Sequence, residues 1–255
     1  MEQQTTQTSP PLALVLLPGL DGTGRLFEAF LDALPPMLQP SVVPLPRDMD
    51  DYRMLETHVA RSLPQGRPFA ILAESFSGPL ALRIAARGHP YLVAVILVAS
   101  FASQPVAWIP GFARHMMHAL MFRLPGQLLL MRWLLLGGNA PPALIETTID
   151  CLRSADPSVL AGRVKATLTV DATEAFVRCP VPMLYLGGTQ DRLIDSQTVA
   201  RLKAQRSDLE CVMLDAPHFV LQRAPEAAAS AVTEFLSRAR HRALARAADN
   251  RHPLH

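Results

Sequence analysis

Six short runs rich in Val, Ile and Leu alternate with helical patterns along this 255-residue chain, and that alternation restricts the fold more than any other feature. The runs cover residues 12–17, 41–45, 68–73, 92–99, 181–186 and 209–214. Continuous apolar runs of this length suit strands that are covered on both faces. Helices between them supply the crossovers of a parallel sheet. The expected class is therefore α/β, with a mostly parallel sheet flanked by helices. The rhythm breaks between residues 101 and about 169, which show no clear strand. Pro110-Gly111, Pro125-Gly126, Gly137-Gly138 and Pro141-Pro142 divide that stretch into several helices. It reads as a helical cap inserted at residues 101–175. The core then comprises residues 1–100 and 176–237, and residues 238–255 form a basic tail.

One strand-to-helix junction carries chemistry. The run at 68–72 leads into Ala73-Glu74-Ser75-Phe76-Ser77-Gly78, and a helical run starts at Pro79. A serine exposed on such a turn needs small residues two before and two after it. Ala73 and Ser77 meet this requirement less fully than the glycines of the G-x-S-x-G pattern would. Two serines compete. A nucleophile at Ser77 would place Pro79, with its fixed φ, at the second following position. With Ser75 in the role, Pro79 falls in the first helical turn, where proline is welcome. Ser75 is therefore the expected nucleophile. In the competing reading Ser77 caps the helix and Ser75 is a buried loop residue.

Three other motifs lie beside predicted strands. Leu17-Pro18-Gly19-Leu20-Asp21-Gly22-Thr23-Gly24 ends the first run, and Phe27, Phe30, Leu31 and Leu34 follow at helical spacing. A glycine turn there can present a backbone N–H to a developing oxyanion. Leu20 N–H is expected in that role, paired with Phe76 N–H. A dinucleotide phosphate loop is the rival, but Phe27 stands where its third glycine belongs. Asp191 follows the fifth run, at the end of Gly187-Gly188-Thr189-Gln190, and suits an acid that orients an imidazole. Asp195 is the fallback and has the position of a helix N-cap. After the sixth run comes Asp215-Ala216-Pro217-His218-Phe219. Of eight histidines, His218 alone sits just past a late strand. His115 and His118 share an apolar helical stretch without a nearby carboxylate or cysteine and make a poor metal site. The order Ser75, Asp191, His218 differs from the chymotrypsin and subtilisin orders.

Composition narrows the remaining classes. Hydrophobic residues are 49% and charged residues 18%, which suits a buried globule rather than a disordered chain. A net charge of +2 makes no general case for nucleic acid. Residues 238–255 hold five arginines against one acid, Asp249, and read as a frayed helix end or a disordered tail. Three widely spaced cysteines suggest no disulfide framework and fit a reducing compartment. No basic n-region precedes the first apolar run, and no run reaches the roughly 18 residues of a spanning helix. The expectation is a cytoplasmic protein without stable membrane insertion. In the inserted stretch, Trp108, Met116, Met117 and Met121 are candidate substrate contacts, since methionine and flat aromatic side chains suit apolar, flexible ligands.

With these motifs in order, the chain resembles the α/β-hydrolase superfamily over nearly its whole length. The segments Leu17 to Gly24, Glu74-Ser75-Phe76-Ser77-Gly78 and Pro217-His218-Phe219 look more narrowly like bacterial esterases and lipases. Plastid esterase/lipase/thioesterase-type acyltransferases look similar there. The resemblance implies Ser75 as nucleophile, Asp191 as acid, His218 as base, and an oxyanion hole near Leu20 and Phe76. It departs from the usual pattern at Pro18-Gly19, where His-Gly is common before the oxyanion residue. It implies hydrolysis of carboxylic esters of apolar acyl groups through an acyl-enzyme, with a small-molecule ester as partner and no metal or organic cofactor. An acyltransferase or thioesterase would use the same three residues. A non-catalytic ligand-binding protein of the same fold is the third reading.

Overall fold

A computed structural model of the chain describes residues 11–105 and 132–249. Among the described residues there are six strands: β1 Leu12–Leu17, β2 Leu38–Val42, β3 Phe69–Glu74, β4 Leu92–Val98, β5 Met183–Gly188 and β6 Glu210–Leu214. They form one sheet in the order β2-β1-β3-β4-β5-β6. Every pairing is parallel. The sheet, flanked by helices, has the α/β-hydrolase architecture.

Alternation along each strand divides the core into two layers. Val15, Leu17, Ile71, Ala73, Val95 and Leu97 face one side. The helices Tyr52–Arg61, Gly78–Ala86 and Thr173–Arg178 close that layer through Leu55, Leu82 and Phe176. Leu14, Leu16, Leu72, Ile96, Leu184 and Leu186 face the other side and pack on Phe27, Phe30, Val232 and Phe235. The Pro225–Asp249 helix carries the last two and extends through residues 238–249 of the Arg-rich stretch. The four interior strands show no alternation in polarity because both faces are buried. Among the described residues, no helix is long and apolar enough to cross a membrane.

Two strands lie elsewhere than their apolar runs predict. The second begins at Leu38 instead of residue 41 and includes Pro40, which reads as a strand breaker. It lies on the sheet edge, where a missing ladder donor is tolerated. The fifth runs on through Gly187-Gly188, a pair that reads as a turn. A Cβ at Gly187 would approach the Tyr185 ring to 2.7 Å and Met213 Sδ to 2.8 Å, so the strand continues only without side chains there.

Between β4 and β5 the described chain forms the helices Pro142–Ser154, Pro157–Thr167 and Thr173–Arg178. A third, smaller cluster joins the first of these to the sheet's carboxyl end through Cys151, Leu26, Leu136 and Phe219. Ser103 and Asp171 form an antiparallel bridge where the inserted chain leaves and returns.

The helix after β3 approaches the end of β4 so closely that a Cβ on Gly78 would overlap the Ser100 side chain. Gly78→Ala gains helix propensity of up to about 1 kcal/mol. The overlap, at about 1–3 kcal/mol, should outweigh it. Gly138 has open space around it, and Gly138→Ala is the control. Urea unfolding should show Gly78→Ala destabilised and the control nearly unchanged; equal midpoints would contradict the close approach.

Candidate active site

The strand order reverses between β1 and β3, and in open parallel sheets ligands bind outside the carboxyl ends of strands at such a point. The turns after β1 and β3 therefore meet there, and the turns after β5 and β6 supply the rest of the site.

Ser75 follows β3 directly and has φ +47°. A left-handed backbone is costly for a residue with a Cβ and persists where its surroundings hold it. Three side-chain hydroxyls hold this turn. Ser100 donates to Ser75 O at 2.6 Å, Tyr52 to Phe76 O at 2.9 Å and Ser77 to Pro18 O at 2.5 Å. Ser77 occupies the N-cap position of the Gly78–Ala86 helix, but its side chain makes no cap bond. It ties the serine turn to the glycine turn after β1 instead.

The structure brings Ser75, His218 and Asp191 into one hydrogen-bonded row. His218 Nε2 lies 2.9 Å from Ser75 Oγ, and His218 Nδ1 lies 2.8 Å from Asp191 Oδ2. A carboxylate at Nδ1 makes that nitrogen the donor and leaves Nε2 to accept the serine proton. Asp191 Oδ1 accepts from Leu193 N and Ile194 N, at 2.8 and 3.0 Å, so the carboxylate is fixed from behind. Both side chains of the His218–Asp191 pair are only 3% exposed. The fallback acid, Asp195, accepts from Thr198 N at 2.7 Å and caps the Ser196–Gln205 helix. The histidine loop lies against the end of β5: Gln190 N donates to Ala216 O, and a Cβ on Gly188 would overlap that same carbonyl. Gln190 Nε2 adds a 2.6 Å bond to Asp215.

A cavity of about 260 Å³ opens at this row. Gly19, Leu20, Phe76, Ser75 and His218 stand on its wall, so both residues expected to face an oxyanion border it. Most of the remaining wall is apolar, including Leu26, Phe101, Leu135, Leu152, Leu168 and Phe219. The predicted substrate contacts, Trp108, Met116, Met117 and Met121, lie outside the described residues, as do His115 and His118. Leu152 and Leu168 escaped the sequence reading because aliphatic helix residues carry no signal that separates a cavity wall from a core. Among the described residues, no group of three or more His, Cys, Asp or Glu side chains is placed to hold a metal ion.

Glu74 is a polar group to which the sequence reading gave no role. It is 4% exposed and stands on the cavity wall beside Ser75. Gln222 Nε2 donates to it at 2.9 Å, and Gly19 N–H also bonds to it. This one carboxyl therefore touches the turn after β1 and the helix that follows His218. Burial pushes its pKa up to about 7, with Asp21 adding to the rise; Gln222, His218 and Gly19 oppose it. Gln222 Oε1 has no hydrogen-bond partner among the described residues.

The chain matches the alpha/beta hydrolase family over residues 14–231 and belongs to that family. Solved structures of the same fold include the bromoperoxidase from Bacillus anthracis, with a TM-score of 0.77, 14% identity and coverage of 90% of this chain and 93% of that one. The esterase from Exiguobacterium antarcticum also has a TM-score of 0.77 and 14% identity, over 89% and 92% of the two chains. The enol-lactonase from Burkholderia xenovorans LB400 has a TM-score of 0.76 and 17% identity, over 91% and 93%. At these identities the likeness establishes the fold. No curated protein sequence matches the chain.

The raised Glu74 pKa makes a test of stability against pH. The folded state holds the proton up to about pH 7, whereas the unfolded state releases it near 4.5. The stabilising contribution is complete below pH 4.5 and is lost as pH rises through 7. Glu74→Gln keeps the shape and removes the titration. Between pH 5 and 8, wild-type stability should fall relative to the variant by up to about 3 kcal/mol, measured by urea unfolding. Parallel pH profiles would mean that Glu74 is ionised throughout.

Proposed function

We propose that the protein is a serine hydrolase that cleaves carboxylic esters of apolar acyl groups through an acyl-enzyme. The observation that carries this reading is the row Ser75–His218–Asp191, with its serine on a strained turn at the mouth of an apolar cavity. The family supports hydrolysis in general. The ester and the apolar acyl group are inferred from the serine nucleophile and from the chemistry of the cavity wall.

In this mechanism Ser75 Oγ attacks the ester carbonyl while His218 Nε2 takes its proton. Asp191 keeps Nδ1 as the donor and stabilises the imidazolium. The tetrahedral oxyanion faces the backbone N–H groups of Leu20 and Phe76, each worth about 2.7–4 kcal/mol by analogy with measured oxyanion donors. Collapse expels the alcohol, which receives its proton from His218. Water, deprotonated by His218, then attacks the acyl-enzyme, releases the acid and restores Ser75. The inserted helices between β4 and β5 act as a cap, and their apolar residues Leu152, Val164 and Leu168 receive the acyl group.

Hydrolysis of p-nitrophenyl esters from short to long acyl chains tests the reading. Ser75→Ala should lower kcat by about 10³-fold or more, and Asp191→Asn by a similar order. Ser77→Ala should lose no more than about 3–10-fold, because its hydroxyl ties the turn to Pro18 O and takes no part in the proton transfers. Equal rates in wild type and Ser75→Ala would overturn the assignment. A wild type that transfers acyl groups to added alcohol faster than to water would move the reading to an acyltransferase.

A further inference from the structure

Arg163 is an anomaly in the apolar packing. It lies on the Pro157–Thr167 helix, is 1% exposed, and makes no ion pair among the described residues. Its guanidinium donates to three backbone carbonyls: Nε to Met49 O at 3.0 Å, Nη1 to Leu20 O at 2.8 Å and Nη2 to Pro46 O at 2.7 Å. Its Cζ also stands 5.8 Å from the centre of the Phe76 ring. Arg163 thus contacts both of the residues whose N–H groups take the oxyanion in the mechanism above.

Tyr52 contacts one of the same residues from another element. It is the first residue of the Tyr52–Arg61 helix and is 5% exposed. Its ring stacks on Phe76 with centroids 4.8 Å apart and planes 18° apart, and its hydroxyl donates to Phe76 O at 2.9 Å.

We propose that Arg163 and Tyr52 are positioning residues for the reaction, clamping Leu20 and Phe76 so that their N–H groups stay aimed at the developing oxyanion. The proposal rests on the serine-hydrolase reading. The clamp acts through main-chain carbonyls, so it fixes backbone orientation, the property on which such donors depend. Neither side chain touches the reacting atoms in this role.

The surroundings are built to admit the guanidinium. Gly22 has φ +74°, and a Cβ there would lie 2.5 Å from Arg163 Nη1. A Cβ on Gly162, next to Arg163, would overlap the Asp50 carboxylate, so the helix lies close against the segment that contains Pro46 and Met49. Burial works against the Arg163 charge, and the carboxylates of Asp21 and Asp50 offset part of that cost. An apolar side chain of similar volume would fill the space without burying a charge. What it would not supply is a planar fork of donors that reaches three carbonyls at once.

The test uses the whole chain with Arg163→Lys, which keeps the charge and loses the fork, and Tyr52→Phe, which loses only the hydroxyl. Turnover of p-nitrophenyl butyrate should fall about 10–100-fold for Arg163→Lys and about 3–10-fold for Tyr52→Phe, on the scale that misplacement of a site group costs. KM should stay within about twofold, as expected when an interaction made only in the transition state is lost. Affinity for an alkyl trifluoromethyl ketone, whose serine adduct carries the oxyanion, should fall by the same factor as kcat. The midpoint of the pH–rate profile should stay in place, because His218 and Asp191 are untouched. A purely structural role predicts a lower unfolding midpoint with kcat and ketone affinity unchanged per folded enzyme, and that result would overturn the proposal. Should Arg163→Lys fail to fold, unchanged kcat and ketone affinity in folded Tyr52→Phe would overturn it too. A Ser75→Ala control separates the two levels: activity retained there overturns the underlying mechanism, whereas an inactive control beside fully active clamp variants overturns the clamp alone.

Discussion

The left-handed turn at Ser75 is the constraint around which the site is arranged. A residue with a Cβ adopts φ +47° only when neighbours over-determine it. Those neighbours come from separate parts of the chain: Ser100 beyond β4, Tyr52 at the start of a helix, and Pro18 beyond β1, reached by Ser77. Two of the bonds tie the serine turn to the ends of β4 and β1, and the third ties it to the start of a helix. The turn also lifts Ser75 Oγ to within 2.9 Å of His218 Nε2. Relaxing it would swing the hydroxyl away from the imidazole and shift Phe76 N–H as well.

Bringing four loops to one point demands close backbone approaches, and glycines sit at them. Gly188 lets the histidine loop lie on the end of β5, and Gly78 lets the helix after Ser75 lie on Ser100. The loops are then joined by polar side chains within an apolar setting. Glu74 links the turn after β1 to the helix beyond His218, and Gln190 links the acid loop to Asp215. Arg163 brings the inserted helices into the same network. The segment between β4 and β5 therefore supports the floor of the site as well as contributing to the cavity wall.

The sheet was legible in the sequence because strands covered on both faces appear as unbroken apolar runs, and five of the six runs fall within a residue or two of the strands. The edge strand was misplaced because its exposed residues, Gln39, Pro40 and Ser41, carry no hydrophobic signal. Ser75, Asp191 and His218 stood out because each combines a reactive side chain with a place just past a strand. Glu74 and Arg163 did not. Their significance comes from burial and from partners 148 and 143 residues away, Gln222 and Leu20, which no local pattern encodes. The cavity wall was invisible for the opposite reason: its leucines and phenylalanines look like any other core residues until the fold leaves a space between them.

Several departures from ordinary packing gather at one end of the sheet. Away from the site, the two faces of the sheet are filled by aliphatic and aromatic side chains, and the buried Glu56 carboxylate is paired with Arg83 and Arg87. At the carboxyl end of the sheet the same molecule carries a strained serine, a buried carboxyl whose pKa is raised by burial, a buried guanidinium and a buried imidazole–carboxylate pair. Each costs stability on its own, since a buried charge or polar group must recover its lost hydration through bonds of good geometry. Local inconsistency of this kind is expected where function has been selected over stability. The large apolar layers offset that cost, and the rigidity they lend the strand ends keeps Ser75 and His218 within hydrogen-bond reach before any substrate arrives.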